Sequence, residues 1–230
     1  ADIPGPAAGS PQYAMGYSID ITADGNAFVV GGPGINTSPP SNNPNTGRVQ
    51  SFEWSGTAWV QKGVDMSGQN ETWFGRAVAI NDSATVVAIG AVEADSSTDQ
   101  QAGYILISEW YSTSSTWLPA FPAIYGGGYQ YKLGWSVALD PHGTKEDITF
   151  AAGAIGWSTA KGRAKVWKWT GPGTYSQVGS DINGTQSIGH LGSALALSRG
   201  SAVLAVGVQD QGSSGGVKMY ALPSAGGGIY

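Results

Sequence analysis

The residues of this chain that could do chemistry are few: two histidines, sixteen carboxylates, nine tryptophans and no cysteine. His142 sits in a Pro141-His142-Gly143 turn, and His190 stands just before Leu191-Gly192. A zinc site needs three or four nitrogen, sulfur or carboxylate ligands, and neither histidine has such company in sequence. Without cysteine there are no disulfides, thiolate metal sites or thiol nucleophile. No Gly-x-Ser-x-Gly elbow leads into a helix, as a serine hydrolase would require. The strings Gly126-Gly127-Gly128 and Gly226-Gly227-Gly228 lack the Lys-Ser/Thr of a phosphate loop and read as turns. The expectation is therefore no catalytic residues, no cofactor and no metal, and no enzyme.

Two other residue classes point outward. Four Asn-x-Ser/Thr sequons occur, at Asn36, Asn70, Asn81 and Asn183, all in expected loops where an N-glycan acceptor must stand. A chain this rich in Asn, Ser and Thr also makes such triplets by chance. The stretch Pro39-Pro40 to Pro44 could carry O-linked sugars or be a stiff surface loop. Among the tryptophans, Trp54, Trp110 and Trp169 recur in register, which suits packing between repeated units. Trp73, Trp135 and Trp157 fall outside that column, near loops or strand starts. Aromatic rings with one apolar face stack on sugars, so these three are the ligand-stacking candidates, with packing as the plainer reading.

What must position these residues is a repeat. Met15-Gly16, Phe74-Gly75, Leu133-Gly134 and Leu191-Gly192 each open a short alternating stretch, and their glycines stand 59, 59 and 58 residues apart. Such a period is the signature of a repeat architecture. Each unit reads as four strands. The first follows the opening glycine: Ser18 to Ile21, Ala77 to Ile80, Ser136 to Leu139, Ala194 to Leu197. Its large aliphatics alternate with Ala or, once, Asp20, which suggests a crowded place where units approach each other. The second is near-continuously apolar and ends at Gly31, Gly90, Gly153 and Gly207, so both its faces should be buried. The third follows Gly47, Gly103, Gly162 and Gly216 and ends at Trp54, Trp110, Trp169 and Leu222. The fourth carries Trp59, Trp117 and Tyr175.

Four antiparallel strands repeated radially make a β-propeller blade. A shorter-repeat β-helix is the alternative. The reading is all-β: one four-bladed propeller of four-stranded antiparallel blades over residues 1–230, with blades at about 16–73, 74–132, 133–190 and 191–230 plus 1–15. The fourth unit stops at Ile229-Tyr230, where its outer strand should be. Ala1-Asp2-Ile3-Pro4-Gly5 resembles the exit of that strand, Asp181-Ile182-Asn183-Gly184. The N-terminus should therefore complete the last blade, in its own chain or a neighbour's. The second option is an open-ended contact and hence a filament.

Composition fits. Hydrophobic residues make up 41% of the chain, enough for a core, while charged residues are only 12% and Gly numbers 36. Net charge is −5 with no basic run, so a nucleic acid is not expected as partner. No apolar stretch approaches the ~20 residues that span a bilayer, so membrane insertion is not expected. A start at Ala1 suits a processed mature chain, and a fragment of a longer protein would look the same.

The openings Phe74-Gly75 and Leu133-Gly134, with Gly90-Ala91, Gly153-Ala154 and Gly31-Gly32-Pro33 downstream, resemble FG-GAP repeats over essentially the whole chain. That resemblance implies a propeller, an extracellular or cell-surface location and an adhesive role, as in integrin α heads. It would also bring an Asp-x-Asp-x-Asp-Gly calcium loop, which no segment here contains. Glu93-Ala94-Asp95 has two carboxylates where a calcium ion wants 6–8 oxygens, so calcium is not carried over. The expectation is a non-enzymatic extracellular structural or adhesion protein, self-associating head to tail or binding other extracellular proteins or glycans. A carbohydrate-binding propeller is the alternative.

Overall fold

A computed structural model describes residues 3, 14–35, 45–69, 71–145, 147–211 and 214–223. The four glycine-opened units become four antiparallel sheets joined in chain order. The first holds β1 (Ser18–Ile21), β2 (Ala27–Gly32), β3 (Arg48–Trp54), β4 (Trp59–Gln61) and β5 (Met66–Ser67). The second holds β6 (Phe74–Ile80), β7 (Val86–Ala91), β8 (Tyr104–Tyr111), β9 (Thr116–Pro119) and β10 (Ile124–Tyr125). The third holds β11 (Leu133–Leu139), β12 (Thr149–Ala154), β13 (Arg163–Gly171), β14 (Thr174–Gln177) and β15 (Ile182–Asn183). The fourth holds β16 (Leu191–Leu197), β17 (Val203–Gln211) and β18 (Ser214–Ala221). These are the four blades of a propeller.

Each described outer strand is split. β4 pairs with the end of β3 and β5 with its beginning, and β9/β10 and β14/β15 repeat the pattern. At the break in the second blade, Pro122 has no N–H to offer a ladder, and Phe121 turns into the core between blades. The innermost strands also run further than expected. β6, β11 and β16 begin at the opening residue itself, and each ladder slips just after the glycine.

The period written in glycine is the blade-to-blade contact. Gly75, Gly134 and Gly192 have φ of +85°, +91° and +90°, a region that costs an L-residue roughly 1–2 kcal/mol. Their carbonyls lie against Gly31, Gly90 and Gly153 of the preceding blade, where a Cβ would overlap them. One step along, Gly47, Gly103 and Gly162 bridge Phe74, Leu133 and Leu191 of the next blade in parallel. Glycine is needed on both sides because two backbones meet there.

Side chains fill the rest of each seam. Val29 and Val49 meet Val78 and Ile80 between blades one and two. Ile105 and Ile107 meet Val137 and Leu139 between two and three. Ala164 and Val166 meet Leu195 and Leu197 between three and four. The expected tryptophan column works in the same seams. Trp169, 1% exposed, packs edge-on against Phe121 of the preceding blade, and Trp110 lies over Lys62 of its own predecessor. Trp54, in the first blade, is 41% exposed and touches Trp59 of its own sheet, so the packing role does not extend to it.

The structure shifts one column. β17 pairs Gly207 with Val217, as Gly31 pairs with Val49 and Gly90 with Ile105. The fourth counterpart of Gly47 is therefore Gly215 and not Gly216. Gly215 restores the seven-residue step to Leu222 that separates Gly47 from Trp54. Among the described residues no sheet closes, and the fourth has three strands. The expected completion of that blade by Ala1 to Gly5 beside Ile229-Tyr230 falls outside the described residues, apart from Ile3.

Candidate functional site

The seams end in loops, and the loops at the two ends of the propeller differ. At the end carrying the opening glycines, the residue just before each pair adopts a left-handed turn: Trp73, Lys132 and His190 have φ of +55°, +56° and +48°. Each is held by the blade before it. Their amides donate to Asn45, Gln101 and Ala160, at 3.1, 3.2 and 2.9 Å. Two adjoining clefts open over these crossings and share Tyr129, Gln130 and Lys132.

The first cleft, about 750 Å³, contains Trp73 with Tyr104, Tyr125, Gln100, Gln101 and the acidic pair Glu93 and Asp95. Its charges are already engaged. Lys132 Nζ lies 3.0 Å from Glu93 Oε1, and Asp95 accepts the Gln101 amide at 2.8 Å. Burial pushes the Tyr104 phenol up to about 12, the nearby Tyr125 adds in the same direction, and the Thr72 hydroxyl opposes them. This tyrosine therefore stays protonated and can donate a hydrogen bond across the ordinary pH range. Among the described residues no group of three or more His, Cys, Asp and Glu could hold a metal ion.

The second cleft, about 730 Å³, contains Trp135 and Trp157 with Tyr131, Ser158, Thr159 and His190. Both indoles are backed by a guanidinium. Arg76 lies 4.1 Å from the centre of Trp135 and 4.9 Å from Tyr17, and Arg163 lies 4.1 Å from the centre of Trp157. Arg163 is itself pinned by Asp181 at 2.8 Å and by Asn183 Oδ1 at 2.8 Å. A cation over an indole is attractive, so these contacts fix the rings at the cleft wall. Ser158, Thr159 and Ala160 follow at φ of +49°, +57° and +60°, a left-handed turn that lifts Trp157 out of the strand path.

All three stacking candidates thus lie at one end. Trp135 and Trp157 share a cleft, and Trp73 occupies its neighbour. Tyr17, Arg76 and the tyrosines were not singled out from the sequence. Their signal was available, because Tyr17, Arg76, Trp135 and Ser193 all follow the opening glycine.

The sequons divide. Asn183 is exposed in β15. Asn81 is 0% exposed. Its Oδ1 accepts the amides of Thr85 and Val86, and its Nδ2 donates to Ser83, Thr85 and the Gly143 carbonyl of the next blade. This side chain organises a turn and leaves no room for a glycan, which corrects the expectation for that position. Asn36 and Asn70 lie outside the described residues.

A larger recess, about 910 Å³, lies at the opposite end between blades three and four. Its charged groups are spent within the fold. Asp140 accepts Ser201 Oγ at 2.6 Å and the Gly200 amide at 3.1 Å, Lys168 pairs with Asp147, and His142 pairs with Asp82.

No family model and no curated protein matches this chain. Among solved structures it is similar to one titled "Structure of Dos1 propeller", at 14% identity and a TM-score of 0.49, over 89% of this chain and 40% of that one. The chain thus spans 40% of the length of that propeller.

Proposed function

We propose that this chain is a non-enzymatic extracellular building block of FG-GAP type that associates head to tail. One observation carries the reading. In each internal seam the opening glycine of one blade sits on the strand-ending glycine of the blade before, whereas Gly16 and Gly207, the same two positions on the first and fourth sheets, meet no other blade among the described residues. Two faces that each carry half of the repeated joint complement one another, which suits head-to-tail association. The FG-GAP assignment draws support from the same contact, since it joins the opening Phe-Gly or Leu-Gly pair of one unit to the Gly-Gly or Gly-Ala pair of the unit before. Electron microscopy of the purified protein tests the reading: rings or filaments are expected, and isolated four-blade particles at all concentrations would contradict it.

A second reading, saccharide binding, is favoured by the two joined clefts with their guanidinium-backed tryptophans. Half-buried indoles at a cleft wall with amide and hydroxyl neighbours suit a neutral glycan. A glycan array tests this. Binding that is lost in Trp135→Ala and Trp157→Ala is expected, and an array blank for the parent protein would dismiss it.

A further inference from the structure

We propose that the face of blade four left uncovered by the described residues is a docking surface for blade one of a second copy of this chain, in the same register as the three internal seams. The inference rests on the head-to-tail reading above and gives it residues.

The argument is a comparison of equivalent positions. On blade four the column of Val49, Ile105 and Ala164, all fully buried, is occupied by Val217 at 69% exposure. The next position on that face, buried as Ser51, Ile107 and Val166, is the exposed Met219. Ala194 and Ala196 in β16 are exposed beside them. On blade one the pattern is reciprocal. Ile19 is 66% exposed where its counterparts Val78 and Val137 are buried, and Ile21 is exposed where Ile80 and Leu139 are buried. Trp54 is exposed where Trp169 is enclosed by the preceding blade.

The two faces are thus the two halves of one seam, each apolar and each carrying its glycine. Gly207 offers the space that Gly31, Gly90 and Gly153 keep for an incoming carbonyl, and a Cβ there would meet only its own sheet, at Ser193 and Ala194. Gly16 already has the φ of +95° that the docked glycines share. Such solvent-facing aliphatics on a sheet face mark an interaction surface. The partner that fits is the one whose edge repeats the seam, a second copy. Two copies joined this way at both ends close a ring of eight blades, within the range propellers adopt. Further copies added at one end make a filament.

The absence of cysteine permits a clean test. The double variant Ile19→Cys, Val217→Cys places one thiol on each half-seam, at positions whose counterparts Val78 and Val49 lie in one cluster. Treatment with a short bismaleimide should give covalent dimers or a ladder of multiples. A linkage within single chains would show that the chain closes on itself and would overturn the proposal, as would unlinked chains whose thiols both react with a monofunctional maleimide. The paired variant Val217→Asp, Met219→Asp alters residues already in water, so it should melt like the parent while the apparent Kd of association rises at least tenfold. Gly207→Ala should weaken association likewise, with a Cβ that also presses on Ser193 and Ala194 of its own sheet. If the parent assembles and these variants assemble equally well, the register is wrong while head-to-tail assembly stands. A parent that is monomeric throughout refutes both.

Discussion

Arg199 of the fourth blade reaches back to Asp82 of the second, with Nη2 3.2 Å from Oδ2. His142 Nδ1 of the third blade stands 2.9 Å from the same oxygen, and the Ala23 amide of the first donates to Oδ1 at 3.0 Å. All four blades therefore meet on one carboxylate, at the end opposite the clefts. The partners are unequal. Arg199 is exposed, and such pairs contribute ~0–1 kcal/mol. The backbone amide has no rotamer freedom to lose, and being exposed it turns to water when the carboxylate goes. Asp82→Ala, which removes all three contacts, should cost ~0.5–1.5 kcal/mol and Arg199→Ala, which removes one, under ~0.5 kcal/mol in urea unfolding. Equal losses would show that the ion pair, and not the amide contact, dominates.

The glycine joint makes its own prediction. Gly134 and Gly127 both have positive φ, but a Cβ on Gly134 would stand 2.9 Å from Ala91 N and overlap the Tyr104 carbonyl, whereas Gly127 faces open space. Gly127→Ala should cost ~1 kcal/mol from backbone strain alone. Gly134→Ala should cost several times more, or ~6 °C beyond the control at the ~2–4 °C per kcal/mol of a domain this size. Matching melting points for the two variants would remove the close-approach account of the repeat.

Arg48 and Arg163 are repeat equivalents, each paired with an aspartate from the outer strand, Asp65 at 2.9 Å and Asp181 at 2.8 Å. Arg163 Nε also finds Asn183, while the buried Nε of Arg48 has no partner. The residue in the Asn183 position of blade one is Ser67, whose side chain is too short to reach. Ser67→Asn should supply the acceptor and add ~0.5–1.5 kcal/mol to stability. No gain would mean that the two sites differ in more than this side chain.

Asp20 shows how the inter-blade column responds to pH. Its neighbours in that column are alanines, and burial against blade two raises its carboxyl above the ordinary aspartate value. The amides of Ile80 and Ile21 oppose the rise, and the charge of Asp82 adds to it. A raised folded-state value means that this group's contribution to stability is fully present below the unfolded aspartate pKa and is lost as pH rises through the folded one. Asp20→Asn keeps an acceptor for Ile80 and should be at least as stable as the parent at pH 7, its advantage shrinking toward pH 4. An advantage that grows in acid would reverse the sign of the argument.

Secretion through a glycosylating host should modify Asn183 and leave Asn81 bare, because the amide of Asn81 is committed to five hydrogen bonds inside the fold. Glycopeptide mass spectrometry reads both at once. An occupied Asn81 would show that its turn forms differently.

What could be read from the sequence follows from what repeats. The glycine columns and the apolar second strands recur four times, and the blades follow from them. The misplaced Gly216 arose where Gly215 and Gly216 stand side by side, because composition cannot choose between two glycines and only the ladder to Val217 does. Asp82 was invisible for the opposite reason: its partners come from three different units and hold no common column. Asn81 looked like any loop sequon, since burial of a turn side chain depends on the Gly143 carbonyl of the next blade. The outer-strand break escaped notice because Lys62, Ala120 and Val178 share no residue type.

The account stands or falls on the two unmatched faces. Sedimentation velocity of the full chain over a wide range of concentration tests it most directly. The account predicts species of at least twice the chain mass that fall back to single chains in the Val217→Asp, Met219→Asp variant. A single-chain species at every concentration, unchanged by those substitutions, would contradict it.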